Sequence, residues 1–244
     1  MIINWMQTAS LSSEDRRSLE TLAGELRGVF GERLHSVAAY GLNHRLTANG
    51  ELHAVALVER LTFDDLAACA PLTRDWRRRG LDVPLLLERE EFLRTLDVFP
   101  LEYGDIIASH IIVAGSDPFA SARVSAADVR RACELSAKGH LIHLREAFME
   151  SGAEPQAVGR LIAASAPTFS ALLRNIARLA QDDDSDVAVT AERQIGIPAS
   201  VVREVMSAGA GTQSTIAEPT VLLSRYIAAA ERVWEYVDTW RARA

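Results

Sequence analysis

Within Glu51 to Val58 (Glu-Leu-His-Ala-Val-Ala-Leu-Val) the apolar run reads as a strand, and side chains two positions apart on a strand share a face. Glu51 and His53 therefore make a polar pair able to grip one cation, and the imidazole nitrogen suits a transition metal better than magnesium. The commoner fate of a single histidine on a half-exposed strand is ordinary hydrogen bonding. His140 and His143 lie one helical turn apart, which can be ligand spacing. Because His140 falls in the middle of the apolar stripe Cys133, Ala137 and Leu144, a buried, hydrogen-bonded core histidine is the expectation. The two cysteines, Cys69 and Cys133, are far apart and read as buried apolar residues. Gly115-Ser116-Asp117 mimics a phosphate loop in miniature, but Asp117-Pro118 marks a turn. Ala191 to Val205 has the outline of a helix-turn-helix, with Gly196 at the turn and Ser200 and Arg203 on the second helix. It offers few basic residues and follows the acidic run Asp182 to Asp186, so the phosphate contacts that dominate DNA affinity are missing.

The elements that must position these residues alternate in the first half. Ser12-Ser13-Glu14-Asp15 starts a helix whose Leu19, Leu22, Leu26, Val29 and Phe30 recur at helical spacing. Ser36 to Gly41 is a short strand ending on glycine, and the polar loop Leu42 to Gly50 leads to the strand that carries Glu51 and His53. Thr62, with Asp65 as its capping-box partner, opens a helix through Arg79. Val83 to Leu87 is a third strand, which Pro84 places near an edge. A short helix from Glu90 to Leu96 and an apolar stretch from Ile106 to Ala114 complete this portion. From Ser125 only helical periodicity remains: one stripe from Val129 to Phe148, a second helix behind Pro155 and kinked at Pro167, a third broken at Gly196-Ile197-Pro198, and a fourth from Pro219. Ile142 lies off the first stripe, which suggests packing against the first domain or a second subunit.

The 244 residues suit one large domain or two modest ones, and 48% hydrophobic with 24% charged residues excludes disordered, collagenous and coiled-coil classes. The net charge of -7 leaves neither half with a positive excess, which argues against a polyanion-binding surface. Arg77-Arg78-Arg79 before Gly80 reads as charge complementing a helix C-terminus. Lys138 is the sole lysine against many arginines, a skew of GC-rich bacterial genomes. No run approaches the roughly 18 apolar residues of a membrane span and no signal-peptide pattern opens the chain, so a cytoplasmic protein without membrane contact is expected.

A helix, a strand ending on Gly41, a loop, the pair Glu51 and His53 opening a second strand, and then a helical bundle: this order resembles the nucleotidyltransferase superfamily. More narrowly, it looks like small bacterial proteins that join a polymerase-beta-type domain to a kanamycin-nucleotidyltransferase-like helical domain. The resemblance spans roughly residues 13–240 by element order. It implies an α/β plus all-α fold, with a mixed-sheet nucleotidyltransferase-like domain over residues 1–120 and a four-helix bundle over 121–244. In such enzymes a Gly-Ser pair cradles the triphosphate, and three aspartates on two strands hold two metal ions.

At those positions this chain carries Gly41-Leu42-Asn43, then Glu51 and His53, then Val83 to Leu87, which has no carboxylate but is flanked by Asp82 and Glu88. Two magnesium ions need hard oxygen ligands, and their mutual repulsion must be offset by several carboxylates. The resemblance thus implies a catalytically degenerate homologue that binds a nucleotide or a protein partner without nucleotidyl transfer. Its nucleotide-binding positions would be Gly41, Leu42, Asn43 and Arg45, the last as phosphate contact. One alternative is a weak nucleotidyltransferase shifted to manganese, with Glu51, His53 and Glu88 as ligands. Another is an antitoxin-like or scaffold protein. No cofactor is expected beyond magnesium or manganese in the enzymatic case, and the candidate partners are a nucleotide, a second copy or another protein, with nucleic acid not expected.

Overall fold

A computed structural model describes residues 11–41, 52–180, 186–210 and 216–241. The chain divides into two compact units, Met1–Val124 and Ser125–Ala244.

The first unit is built on a four-stranded mixed sheet of order β3-β2-β1-β4, with β1 Leu34–Tyr40, β2 His53–Val58, β3 Leu85–Glu88 and β4 His110–Gly115. β1 pairs antiparallel with both β2 and β4, and β2 runs parallel to β3. Helices cover both faces. α1 (Ser13–Phe30) starts at a capping box in which Ser12 Oγ accepts the Asp15 N–H at 3.1 Å and Asp15 accepts the Ser12 N–H at 3.3 Å. It buries Leu19, Leu22, Leu26 and Phe30 against Val37, Ala39, Ala54, Ala56, Val58 and Trp76. The opposite face of the sheet offers Ala38, Val55, Leu57 and Leu87 to Phe92, Tyr103, Ile106 and Phe119. This alternation is the strand period of two seen from both sides, and it explains why β2 is apolar throughout.

The remaining helices of this unit are α2 (Phe63–Cys69), α3 (Thr73–Arg78), α4 (Arg89–Arg94) and α5 (Pro100–Ala108). The single helix expected from Thr62 to Arg79 is divided by a 3-10 turn, Ala70–Leu72, because Pro71 has no N–H to donate to the Ala67 carbonyl. The apolar stretch from Ile106 to Ala114 is likewise two elements, the end of α5 and β4. Pro100 opens α5 at its first turn, and an extended Ser109 closes it. Arg77 and Arg78 stand in the last turn of α3 as expected, and Arg79 at its C-cap also forms a bidentate pair with Glu25 (2.6 and 3.1 Å), whose Oε2 accepts the Trp76 indole N–H at 2.7 Å.

β4 carries a bulge between the partners of Val37 and Ala38, which brings Gly115 opposite Ser36. Gly115 has φ +80°, and a Cβ there would lie well under 3.0 Å from the His35 carbonyl oxygen. No other residue fits.

The second unit is all helical: α6 (Ala126–Glu150), α7 (Pro155–Leu179), α8 (Val187–Ile195), α9 (Ala199–Gly209) and α10 (Pro219–Thr239). α7 and α10 pack on each other, with α6 against both and α9 against both. The third helix of the expected four is two helices, because Gly196 takes a left-handed φ of +77° and Pro198 blocks continuation. α7 runs on through Pro167, which costs Ala163 its helical hydrogen bond. Gly209 of α9 packs there: a Cβ on it would stand 2.6 Å from Ala166 Cβ and 3.5 Å from the Ala163 oxygen. No described helix is long and apolar enough to cross a membrane.

His140 is the buried core histidine expected. Its Nε2 lies 2.8 Å from the Tyr226 hydroxyl, its ring stacks on Phe169 at 5.8 Å, and Phe169 meets Tyr226 edge-on at 4.8 Å. His143 points outward beside Glu146, so the two histidines do not converge on a ligand.

Two outcomes follow. Gly115→Ala should destabilise the first unit by about 3 kcal/mol or more, read by chemical denaturation, since the new methyl meets backbone and not a movable side chain. Burial, with a smaller effect from His143, pushes His140 down from 6.5 to about 4. The unfolded chain therefore binds the extra proton first as pH falls. The contribution is fully present above pH 6.5 and lost between 6.5 and 4, roughly 3 kcal/mol in all, and His140→Gln should flatten that part of the stability profile.

Candidate functional site

One group of polar residues of the first unit gathers where β1 ends and β2 and β4 begin. Tyr40 is in direct register with His53 on one side and His110 on the other, so the three side chains form a row on one face of the sheet. That is the face of Ala38, Val55 and Ile112, and the row is its polar end. Tyr40 and His53 stack with centroids 5.7 Å apart and planes 27° from parallel.

Each imidazole has a carboxylate. Asp82 Oδ2 lies 3.4 Å from His53 Nδ1. Its backbone is fixed by an isolated parallel bridge between Leu52 and Leu81, ahead of β3, with the Leu52 N–H bonded to the Gly80 carbonyl at 2.8 Å and the Asp82 N–H to the Leu52 carbonyl at 2.9 Å. His110 Nδ1 lies 2.9 Å from the Ile106 carbonyl, an acceptor only, so this nitrogen carries the hydrogen. His110 Nε2 faces Asp117 Oδ1 at 3.4 Å, and its ring packs edge-on against Phe119 at 4.8 Å. Burial first, then the charges of Asp82 and Asp105, push the Tyr40 phenol above its ordinary value. It therefore stays a hydroxyl that can donate a hydrogen bond throughout the neutral range.

Gly41 follows Tyr40 with φ +68°, the left-handed turn by which the chain leaves β1. A Cβ on it would touch the His53 ring at 3.7 Å. Among the expected site residues, Gly41 and His53 are thus brought together. Leu42, Asn43, Arg45 and Glu51 lie outside the described residues.

Glu88 is not brought to His53. It pairs with Val58, five residues along β2, which at about 3.3 Å per residue is roughly 17 Å away. There its Oε1 accepts the Leu61 N–H at 2.9 Å, and it caps α4. A strand's length separates it from the ion it was expected to share. The carboxylate that does reach His53 is Asp82, at the other flank of β3. On the strand itself, Leu85 is the residue in register with Val55, and it is exposed and apolar. Among the described residues, no three His, Cys, Asp or Glu side chains converge to hold a metal.

Sequence reasoning had weighed Asp82 only as a flanking residue and had missed Tyr40 and His110. Pairing His53 across the Leu42 to Gly50 loop with the residue before Gly41 would have found Tyr40. His110 was hidden inside an apolar stretch that spans two elements. The other candidates are structural. Gly115-Ser116-Asp117 is a turn in which Asp117 Oδ1 accepts the Phe119 N–H at 2.8 Å. In α9 Arg203 bonds Asp186 at 2.8 Å and Ser200 bonds Arg225 at 3.3 Å, so both side chains of the would-be recognition helix are engaged within the chain.

No family model matches this sequence, and no curated protein does. Among solved structures it is similar to spectinomycin adenyltransferase AAD(9) from Enterococcus faecialis, determined with ATP and spectinomycin. The two share 11% identity at a TM-score of 0.57, over 89% of this chain and 98% of that one. The likeness is one of fold: a mixed sheet with helices, joined to a helical domain, as in nucleotidyltransferases.

The row of rings supplies its own check. In a protein labelled on tyrosine rings, nuclear magnetic resonance should show Tyr40 titrating above the ordinary 10.0. Asp82→Asn should lower that midpoint without normalising it, because burial is the larger cause. A Tyr40 signal indifferent to Asp82→Asn would mean the carboxylate does not face the phenol.

Proposed function

We propose that this chain is a nucleotidyltransferase-fold protein that binds a nucleotide or a protein partner at the Gly41 and His53 end of its sheet and does not transfer nucleotides. One observation carries the reading: where two metal ions would have to sit, the described residues of β2 and β3 offer His53 and Leu85, with Asp82 beside His53 as the one carboxylate. An imidazole, an alkyl group and one carboxylate are a poor set for a pair of magnesium ions, which demand octahedral oxygen and enough negative charge to offset their repulsion. This donor set does not fit that centre. The ATP bound to the similar adenyltransferase supports a nucleotide as the ligand class. Gly41, Leu42 and Asn43 would then offer backbone to the phosphates, and Arg45 a charge-assisted contact.

A second reading, a weak manganese-dependent nucleotidyltransferase, is favoured by the position of Asp82. With Glu51 it would give His53 two carboxylate companions in place of the expected Glu88, a set suited to one transition-metal ion. The antitoxin-like or scaffold reading is what remains if no nucleotide binds.

Calorimetric titration with ATP, GTP, CTP and UTP, in magnesium and then manganese, separates these readings. The expected result is binding without pyrophosphate release, weakened about tenfold or more by Arg45→Ala. Magnesium-dependent nucleotide incorporation that disappears in Glu51→Ala would overturn the proposal.

A further inference from the structure

Of the two imidazoles in the row, His110 has both ring nitrogens engaged within the chain, Nδ1 on the Ile106 carbonyl at 2.9 Å and Nε2 toward Asp117 at 3.4 Å. His53 has only one. Its Nδ1 faces Asp82 Oδ2 at 3.4 Å, while Nε2 has no hydrogen-bond partner among the described residues. The carboxylate is itself set in place: Asp82 Oδ1 accepts the Val83 N–H at 2.7 Å, and the Leu52–Leu81 bridge holds the backbone, which leaves Oδ2 for the ring. A carboxylate only accepts, so the neutral imidazole beside it keeps its hydrogen on Nδ1 and its lone pair on Nε2.

The ring is also held in orientation. Tyr40 stacks on one face of it, and the carbon bonded to Nε2, Cδ2, is the atom that a Cβ on Gly41 would meet at 3.7 Å. The unshared Nε2 edge therefore belongs to the Gly41 end of the sheet, and the side chain keeps 28% of its surface open there to a ligand. On the neighbouring strand the Tyr40 hydroxyl likewise has no partner among the described residues and a hydrogen to give. A lone pair and an O–H thus stand side by side. A ligand hydroxyl complements both kinds of group, since it gives a hydrogen to the one and a lone pair to the other. A nucleobase amino group complements only the lone pair, because its own is delocalised into the ring, and phosphate oxygens complement only the O–H.

We propose, resting on the nucleotide reading above, that His53 Nε2 and the Tyr40 hydroxyl select a ribose hydroxyl of the bound nucleotide. Asp82 is the positioning residue that keeps the His53 hydrogen on Nδ1 and so turns an acceptor toward the ligand.

Nitrogen magnetic resonance on the full chain labelled at histidine, taken well above the ordinary imidazole range, reads the position of the hydrogen directly. In the free protein His53 should carry it on Nδ1, and Asp82→Asn should shift it toward Nε2. Adding ATP should move the Nε2 resonance, whereas inorganic triphosphate and ATP lacking both ribose hydroxyls should leave it in place. By calorimetry ATP should bind about tenfold more tightly than the nucleotide without hydroxyls, and Asp82→Asn and Tyr40→Phe should each narrow that gap. A protein that binds neither nucleotide overturns the nucleotide reading, and the proposal with it. Equal affinity for the two nucleotides, a hydrogen found on Nε2 in the free protein, or an Nε2 that answers to triphosphate as it does to ATP each overturns the proposal and leaves that reading standing.

Discussion

β1 is hydrogen-bonded on both edges, and the rest of the first unit depends on that double pairing. Because its partners are both antiparallel, each β1 residue fixes one residue on β2 and one on β4, and neither can slip without turning its side chains to the wrong face. Val37 and Ala39 commit one face to α1, while Ala38 and Tyr40 commit the other to the aromatic cluster of Phe92, Tyr103 and Phe119. The small size of three of these four side chains lets helices approach both faces. The same register, carried to the strand's last residue, assembles His53, Tyr40 and His110. The polar row is thus a by-product of the core.

That origin shapes the chemistry. Two imidazoles and a phenol are held by backbone pairing, each near a carboxylate, at the edge of a dry aromatic face. Such a floor orients hydrogen bonds well. It concentrates little negative oxygen in one place, since Asp82 and Asp117 sit at opposite ends of the row and Glu88 lies a strand's length away.

Elements with long-range periodicity were legible in the amino-acid pattern: α1 by its leucines, β2 by its apolar run, and the helices of the second unit by their stripes. What escaped was decided by single residues acting through the backbone. Pro71 divided a helix, and an extended Ser109 divided an apolar stretch into helix and strand. Gly196 and Pro198 turned an expected break into two separate helices. In the candidate site, the pair on β2 could be read from spacing alone, but its neighbours are set by strand pairing between distant segments. Spacing said that Glu88 and Asp82 both flanked β3. Only the parallel register with β2 shows which flank lies beside His53.

In the second unit, Pro167 leaves the Ala163 carbonyl without its partner on the same turn, and Gly209 on the neighbouring helix stands close by with no side chain to obstruct. The tight contact is with Ala166, whose Cβ an added methyl on residue 209 would meet at 2.6 Å, while Pro167 stands at an ordinary 3.7 Å. A bulkier residue at 209 would require the helices to spread unless position 166 shrank with it. The two small residues, Gly209 and Ala166, should then be inherited, or replaced, as a pair.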